Sequence, residues 1–120
     1  MKKYQVQTGS QDLNKRENIM NKFYVSNAAG VTFEGRQKHI EKLAIKDGLV
    51  FIREPENQYD KNAVAIHDRH GNHVGYVSKG LAEEISEQID NGIKFSVWVD
   101  GVYYVDNADC LGLKFGYEFE

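Results

Sequence analysis

The last ten residues constrain the fold of this chain more than any other stretch. Leu111, Leu113, Phe115, Tyr117 and Phe119 alternate with Gly112, Lys114, Gly116, Glu118 and Glu120. Side chains of a strand point to opposite faces in turn, so a period of two writes a β-strand with one buried face. Such a strand needs partners for its backbone, and the sequence supplies them upstream. Phe23-Tyr24-Val25 opens a strand that runs toward Gly30 and resumes through Val31-Thr32-Phe33. Leu49-Val50-Phe51-Ile52 and Ala63-Val64-Ala65-Ile66 are short, wholly apolar runs and read as buried strands. Val74-Gly75-Tyr76-Val77 follows, and Phe95, Val97 and Val99 alternate with Ser96, Trp98 and Asp100.

Two helices interrupt these strands. Within residues 37–45, Ile40, Leu43 and Ala44 fall at i, i+3 and i+4, the stripe of a short amphipathic helix. Leu81, Ala82, Ile85 and Ile89 line one face of a second, with Ser78 as N-cap and Asn91-Gly92 as its left-handed stop. Gly71-Asn72 supplies the positive φ of a hairpin turn. Six short strands and two short helices define a mostly β fold, a small six-stranded barrel in which closure removes exposed edges. At 120 residues and 41% hydrophobic, the chain has core enough for one domain. We place that domain at residues 23–120, with residues 1–22 as a polar, flexible leader or basic arm.

Charge and composition narrow the function. The first 24 residues carry a local net charge of +3, and residues 25–120 hold ten basic and sixteen acidic side chains, a net −6. So acidic a body does not coat a long phosphate backbone, but it can hold a pocket that grips one or two phosphates. The single cysteine, Cys110, excludes an internal disulfide and suits a reducing, cytoplasmic location. No apolar run is long enough for a transmembrane helix, and none marks a signal peptide, so no membrane partner is expected. P-loop, dinucleotide-fold, zincin and nucleophile-elbow motifs are absent. His67, His70 and His73 straddle the hairpin and lack the tight ligand pair of a zinc site. A nuclease would need a carboxylate cluster, and Asp106 with Asp109 is the nearest approach. We therefore expect no metal, no cofactor and no catalytic step.

Three local constellations remain. The first is Gly30-Val31-Thr32-Phe33-Glu34-Gly35-Arg36-Gln37, with a basic residue just past a glycine. The second, Arg53 to Ala63, reads REPENQYDKNA between two apolar strands. The third is Gly71-Asn72-His73-Val74-Gly75-Tyr76-Val77. In this order and spacing they resemble the HIRAN domain, over roughly Phe23 to Val99. The resemblance implies a modified OB-like barrel that binds single-stranded DNA and captures its 3′ end. It also implies service in DNA repair beside a helicase, which for this chain would act in trans. Thr32-Phe33 departs from the basic-plus-aromatic pair of some DNA-binding members.

The second constellation has two readings. In one, Asn57, Asp60 and Asn62 satisfy backbone donors in an Asx-type turn while Tyr59 plugs the barrel end. In the other, Tyr59 offers a ring for base stacking and Asp60 accepts a hydrogen bond from a terminal sugar hydroxyl. Arg36, Arg53 and Lys79 are the candidate phosphate contacts, each with a solvated or ion-paired side chain as its plainer reading. Phe33 is a candidate stacking ring. Tyr76, after the structural Gly75, either packs inside the barrel or faces a base. Tyr103 and Tyr104 read as an aromatic pair in a loop after a turn at Asp100-Gly101. Three functions compete: a single-stranded DNA module using these groups, a protein-interaction adaptor of the same fold, and the small nuclease.

Overall fold

The computed structural model describes residues 22–105 and 109–120. The leader, apart from Lys22, and Asp106 lie outside the described residues. The strands are β1 (Tyr24–Asn27), β2 (Gly48–Arg53), β3 (Val64–Asp68), β4 (His73–Tyr76), β5 (Phe95–Tyr104) and β6 (Leu111–Phe119). Two helices, α1 (Gln37–Ile40) and α2 (Lys79–Asp90), join them. All pairings are antiparallel, and the strands form one sheet in the order β1-β6-β5-β2-β3-β4. The sheet curls into a half-barrel until its two edges touch. Ala29, just past β1, and Tyr76, at the end of β4, exchange backbone hydrogen bonds of 2.8 and 2.9 Å. Gly75 permits that approach, since a Cβ there would stand 3.0 Å from the Ala29 carbonyl and 3.1 Å from the Ala28 Cβ.

Ile40, Val64, Ile66, Val74, Ile85, Val99, Leu113 and Phe115 fill the concave side of the sheet. Each such side chain contributes about 1.5–3 kcal/mol on leaving water. From β6, Leu113, Phe115 and Tyr117 are buried as the alternation predicts, and Phe119 at its end is exposed. The glycines on the other face have their own cause. Trp98 pairs with Gly116 and Tyr103 with Gly112, and each ring covers its partner. A Cβ at Gly116 would meet the Trp98 ring at 2.4 Å, and one at Gly112 the Tyr103 ring at 2.4 Å. Aromatic rings thus cover the glycines across the strand pair.

Four expectations need correction. Asp100-Gly101 is a bulge, and β5 runs through it to Tyr104, so Tyr103 and Tyr104 lie on a strand. The extra residue reverses the alternation, which turns Val102 toward the core and sets Tyr103 on the same face as Trp98. Val31-Thr32-Phe33 forms turns, because Gly30, Glu34 and Gly35 all adopt positive φ. Helix α1 stops at Ile40. Beyond it, Lys46 donates to the Val99 carbonyl at 2.7 Å and Val99 donates to that of Asp47 at 2.9 Å, which draws the chain back to β5. Strand β2 is buried only at Leu49, and Val50 and Ile52 face outward. It pairs with β3 from Leu49 to Arg53 but with β5 over Gly48 and Leu49 alone, so beyond Leu49 its β5-side edge has no strand beside it.

Helix α2 follows its expected bounds. Its apolar face buries Ala82 and Ile85, Gly92 at φ 91 ends it, and Ile93 donates back to the Gln88 carbonyl at 2.9 Å. Ser78 stands at the N-cap with an extended backbone, and its side chain makes no capping bond. No helix among the described residues is long and apolar enough to cross a membrane.

Candidate nucleic-acid interface

Where the sheet edges meet, three segments frame an open groove of about 730 Å³. The turn after β1 contributes Phe33, Glu34 and Arg36, the β2–β3 loop Tyr59 and Asp60, and the β4–α2 junction Tyr76 and Lys79. Six of the nine candidate binding residues therefore converge here.

The loop from Glu54 to Ala63 is built largely by two side chains. Asn57 Oδ1 accepts hydrogen bonds from the Tyr59 and Asp60 amides at 2.8 and 3.0 Å, closing an Asx turn. Asp60 Oδ1 accepts the Asn62 amide at 2.9 Å, and the Ala63 amide donates to the Asp60 carbonyl at 3.0 Å. With its backbone so held, Tyr59 plugs nothing: the residue is 85% exposed and lines the groove. Asn62 serves the loop through its amide.

Glu54 is the group that the sequence reading passed over. Its Oε1 accepts the Asn57 amide group at 3.0 Å and the Tyr76 hydroxyl at 2.8 Å, which ties the loop to β4. Burial, with this bond to Glu54, raises the Tyr76 pKa above its ordinary value and keeps the phenol a donor. Gln37 plays the matching part for the first segment. Its Nε2 donates to the carbonyls of Val31 and Leu111, both at 2.9 Å, and its Oε1 accepts the Leu111 amide at 2.7 Å. Both residues sat inside the two motifs, as polar groups beside apolar strands.

Arg36 lies at the groove floor, only 6% exposed. It donates to the Gly30 carbonyl and, at 3.0 Å, to Glu34 Oε1, and it stacks 5.2 Å from the Tyr76 ring centroid. Beyond Tyr76 the row continues through His73 and His67, with centroids 4.7 and 5.0 Å apart. Burial and the nearby Arg36 charge push the His73 pKa below the ordinary imidazole value. Lys79, exposed at the first turn of α2, forms no ion pair among the described residues.

Three candidates lie elsewhere. Arg53 forms a two-pronged ion pair with Asp90 of α2, at 3.1 and 3.2 Å, and donates to the carbonyls of Lys61 and Ala63. Its guanidinium anchors the base of the loop. Tyr103 donates to Asn27 Oδ1 at 2.9 Å while covering Gly112, and Tyr104 is exposed at the end of β5. Among the described residues no group of three or more His, Cys, Asp or Glu side chains is placed to hold a metal ion.

An antiparallel half-barrel with one aromatic and charged groove at its meeting edges is the class of domain that fold and site define. The chain belongs to the HIRAN domain family, whose pattern matches residues 15–118. It is 37% identical over 93 residues to helicase-like transcription factor of Oryctolagus cuniculus, a match covering 70% of this chain and 9% of that protein. The human protein of the same name is 44% identical over 68 residues, 51% of this chain and 7% of the relative. The chain thus spans less than a tenth of the length of these relatives. In structure it is similar to the HIRAN domain of human HLTF, with TM-score 0.65 and 21% identity over 81% of this chain and 74% of that one. A Lactobacillus plantarum protein matches with TM-score 0.58 and 16% identity, over 80% of this chain and 98% of its own. The HLTF HIRAN domain in its DNA-bound conformation matches with TM-score 0.51 and 23% identity, over 78% and 74%.

Proposed function

We propose that this domain is a nucleic-acid-binding module that takes single-stranded DNA, by its 3′ end, into the groove between Phe33, Tyr59 and Tyr76. The observation that carries the reading is convergence. Two exposed rings, a buried guanidinium, a lysine and a carboxylate arrive from three separate segments at one opening. Phe33 and Tyr59 stack on bases, each such contact being worth roughly 1–3 kcal/mol. Lys79 meets a phosphate as a mobile point charge. Asp60 is a poor neighbour for a phosphate and a good acceptor for a terminal hydroxyl, which favours a 3′-OH over an internal nucleotide. The DNA-bound form of the HLTF HIRAN domain supports the ligand class. An OB-like use of the barrel goes with this reading, since OB folds offer stacking rings to single strands. So does a task beside a helicase or repair protein, and a cytoplasmic location where the lone Cys110 stays reduced.

The test is fluorescence anisotropy with labelled single strands that carry a free 3′-OH, a 3′-phosphate, or no end (a circle). We expect binding that requires the free 3′-OH. Tyr59→Ala should weaken it by roughly 5- to 150-fold, and Asp60→Ala should erase the preference for the hydroxyl. Equal binding to all three strands would reduce the function to general single-strand binding. No binding at low salt would remove DNA as the ligand and leave the protein adaptor as the reading to pursue.

A further inference from the structure

The groove, read as a single-strand site, holds an occupant of its own. Arg36 is buried, and of its two terminal nitrogens Nη1 is spent on the Gly30 carbonyl and Nη2 on Glu34 Oε1 at 3.0 Å. Its Nε–H is buried and meets no acceptor among the described residues. Glu34 is the reverse case: its side chain is 78% exposed. Its backbone sits at φ 54, a left-handed conformation uncommon outside glycine. That turn folds the carboxylate back over Arg36, two residues on.

We propose that Glu34 is a built-in stand-in for a DNA phosphate, an anion that satisfies Arg36 in the free protein and swings into solvent when a strand binds. A buried guanidinium without a counterion is costly, so the free groove needs some anion on Arg36. A carboxylate on a largely exposed side chain is held weakly, and a phosphate that takes its place displaces it at little cost. A phosphate that replaces it gains an equivalent charge-assisted contact and little net energy. A lone phosphate therefore has no advantage over Glu34, whereas a strand whose bases also stack on Phe33 and Tyr59 does. The device selects strands over free anions. It also flattens the salt dependence, because each phosphate taken by Arg36 releases a carboxylate beside the DNA.

The experiment measures binding of an oligothymidylate with a free 3′ end across a salt series, for the wild-type protein, Glu34→Gln and Glu56→Gln. Glu56 is an exposed carboxylate of the neighbouring loop with no contact to Arg36, so it controls for net charge. Glu34→Gln should bind up to about fivefold tighter at low salt, the factor set by an ion pair whose carboxylate is largely exposed. Its plot of log affinity against log salt should be steeper by about 0.7, one added single-strand phosphate contact. Glu56→Gln should shift both quantities by much less. Equal affinity and slope for wild type and Glu34→Gln, or weaker binding by Glu34→Gln, would overturn the stand-in while leaving the groove as a DNA site. A failure of both proteins to bind would remove the DNA reading and this inference with it.

Discussion

Asn57 holds two backbone amides with one side-chain oxygen, and the exposure of Tyr59 depends on it. Asn57→Ala should cost about 1–3 kcal/mol in urea unfolding, since it strips acceptors from two amides at once. It should also weaken DNA binding, whereas Tyr59→Ala should leave stability nearly unchanged. A second residue-scale prediction concerns pH. The folded-state pKa of His73 lies below its unfolded value, so the unfolded chain binds the proton more readily. Its stabilisation is full above the unfolded value, near 6.5, and is lost as pH falls through the lower folded value. Unfolding free energy should therefore drop on acidification from about pH 7.5 to 5.5, and His73→Gln should flatten that dependence. At this scale the sequence marked which residue types matter more clearly than which of them share a surface. Tyr59, Asp60, Phe33 and Arg36 stood out because their motifs are dense in hydrogen-bonding and aromatic groups. Arg53 looked equivalent to Arg36, yet its partner Asp90 lies thirty-seven positions away, a distance no local pattern reports.

Among the elements, β6 was the most legible because a period of two has one physical meaning. Its glycines were legible only as small residues, since the rings that cover them come from β5 across the sheet. Gly116→Ala should cost about 1–3 kcal/mol by displacing Trp98. Trp98 emission should shift to the red as its ring lifts toward water, and unchanged stability and emission would refute the cross-strand cover. The bulge at Asp100 and the early end of α1 escaped sequence reading for a common reason. Both are set by long-range backbone bonds: the register of β5 on β6, and the tie between Lys46 and Val99. Helix α2 was read almost whole, because its apolar stripe and its glycine stop are local signals.

For the whole molecule, the half-barrel matters because it brings distant motifs to one place. The bridge between Ala29 and Tyr76 joins the two edges of the sheet, and the groove lies beside it. The turn after β1, the loop before β3 and the start of α2 thus become neighbours. The order of the motifs in the sequence hinted at this only through family resemblance, and the sheet order supplies the physical cause. A body with a net charge of −6 over residues 25–120 has little long-range attraction for DNA. On the proposed function, binding comes from the groove, so affinity should fall only shallowly with salt, as expected for very few phosphate contacts. The most direct test is a titration of the isotope-labelled protein with a single strand bearing a free 3′-OH, followed by backbone amide and aromatic NMR shifts. We predict that the largest changes cluster on Phe33, Glu34, Tyr59, Asp60, Tyr76 and Lys79, with Tyr103 and Tyr104 unmoved. Changes centred on Tyr103 and Tyr104, or none in the groove at saturating DNA, would contradict the assignment of this surface.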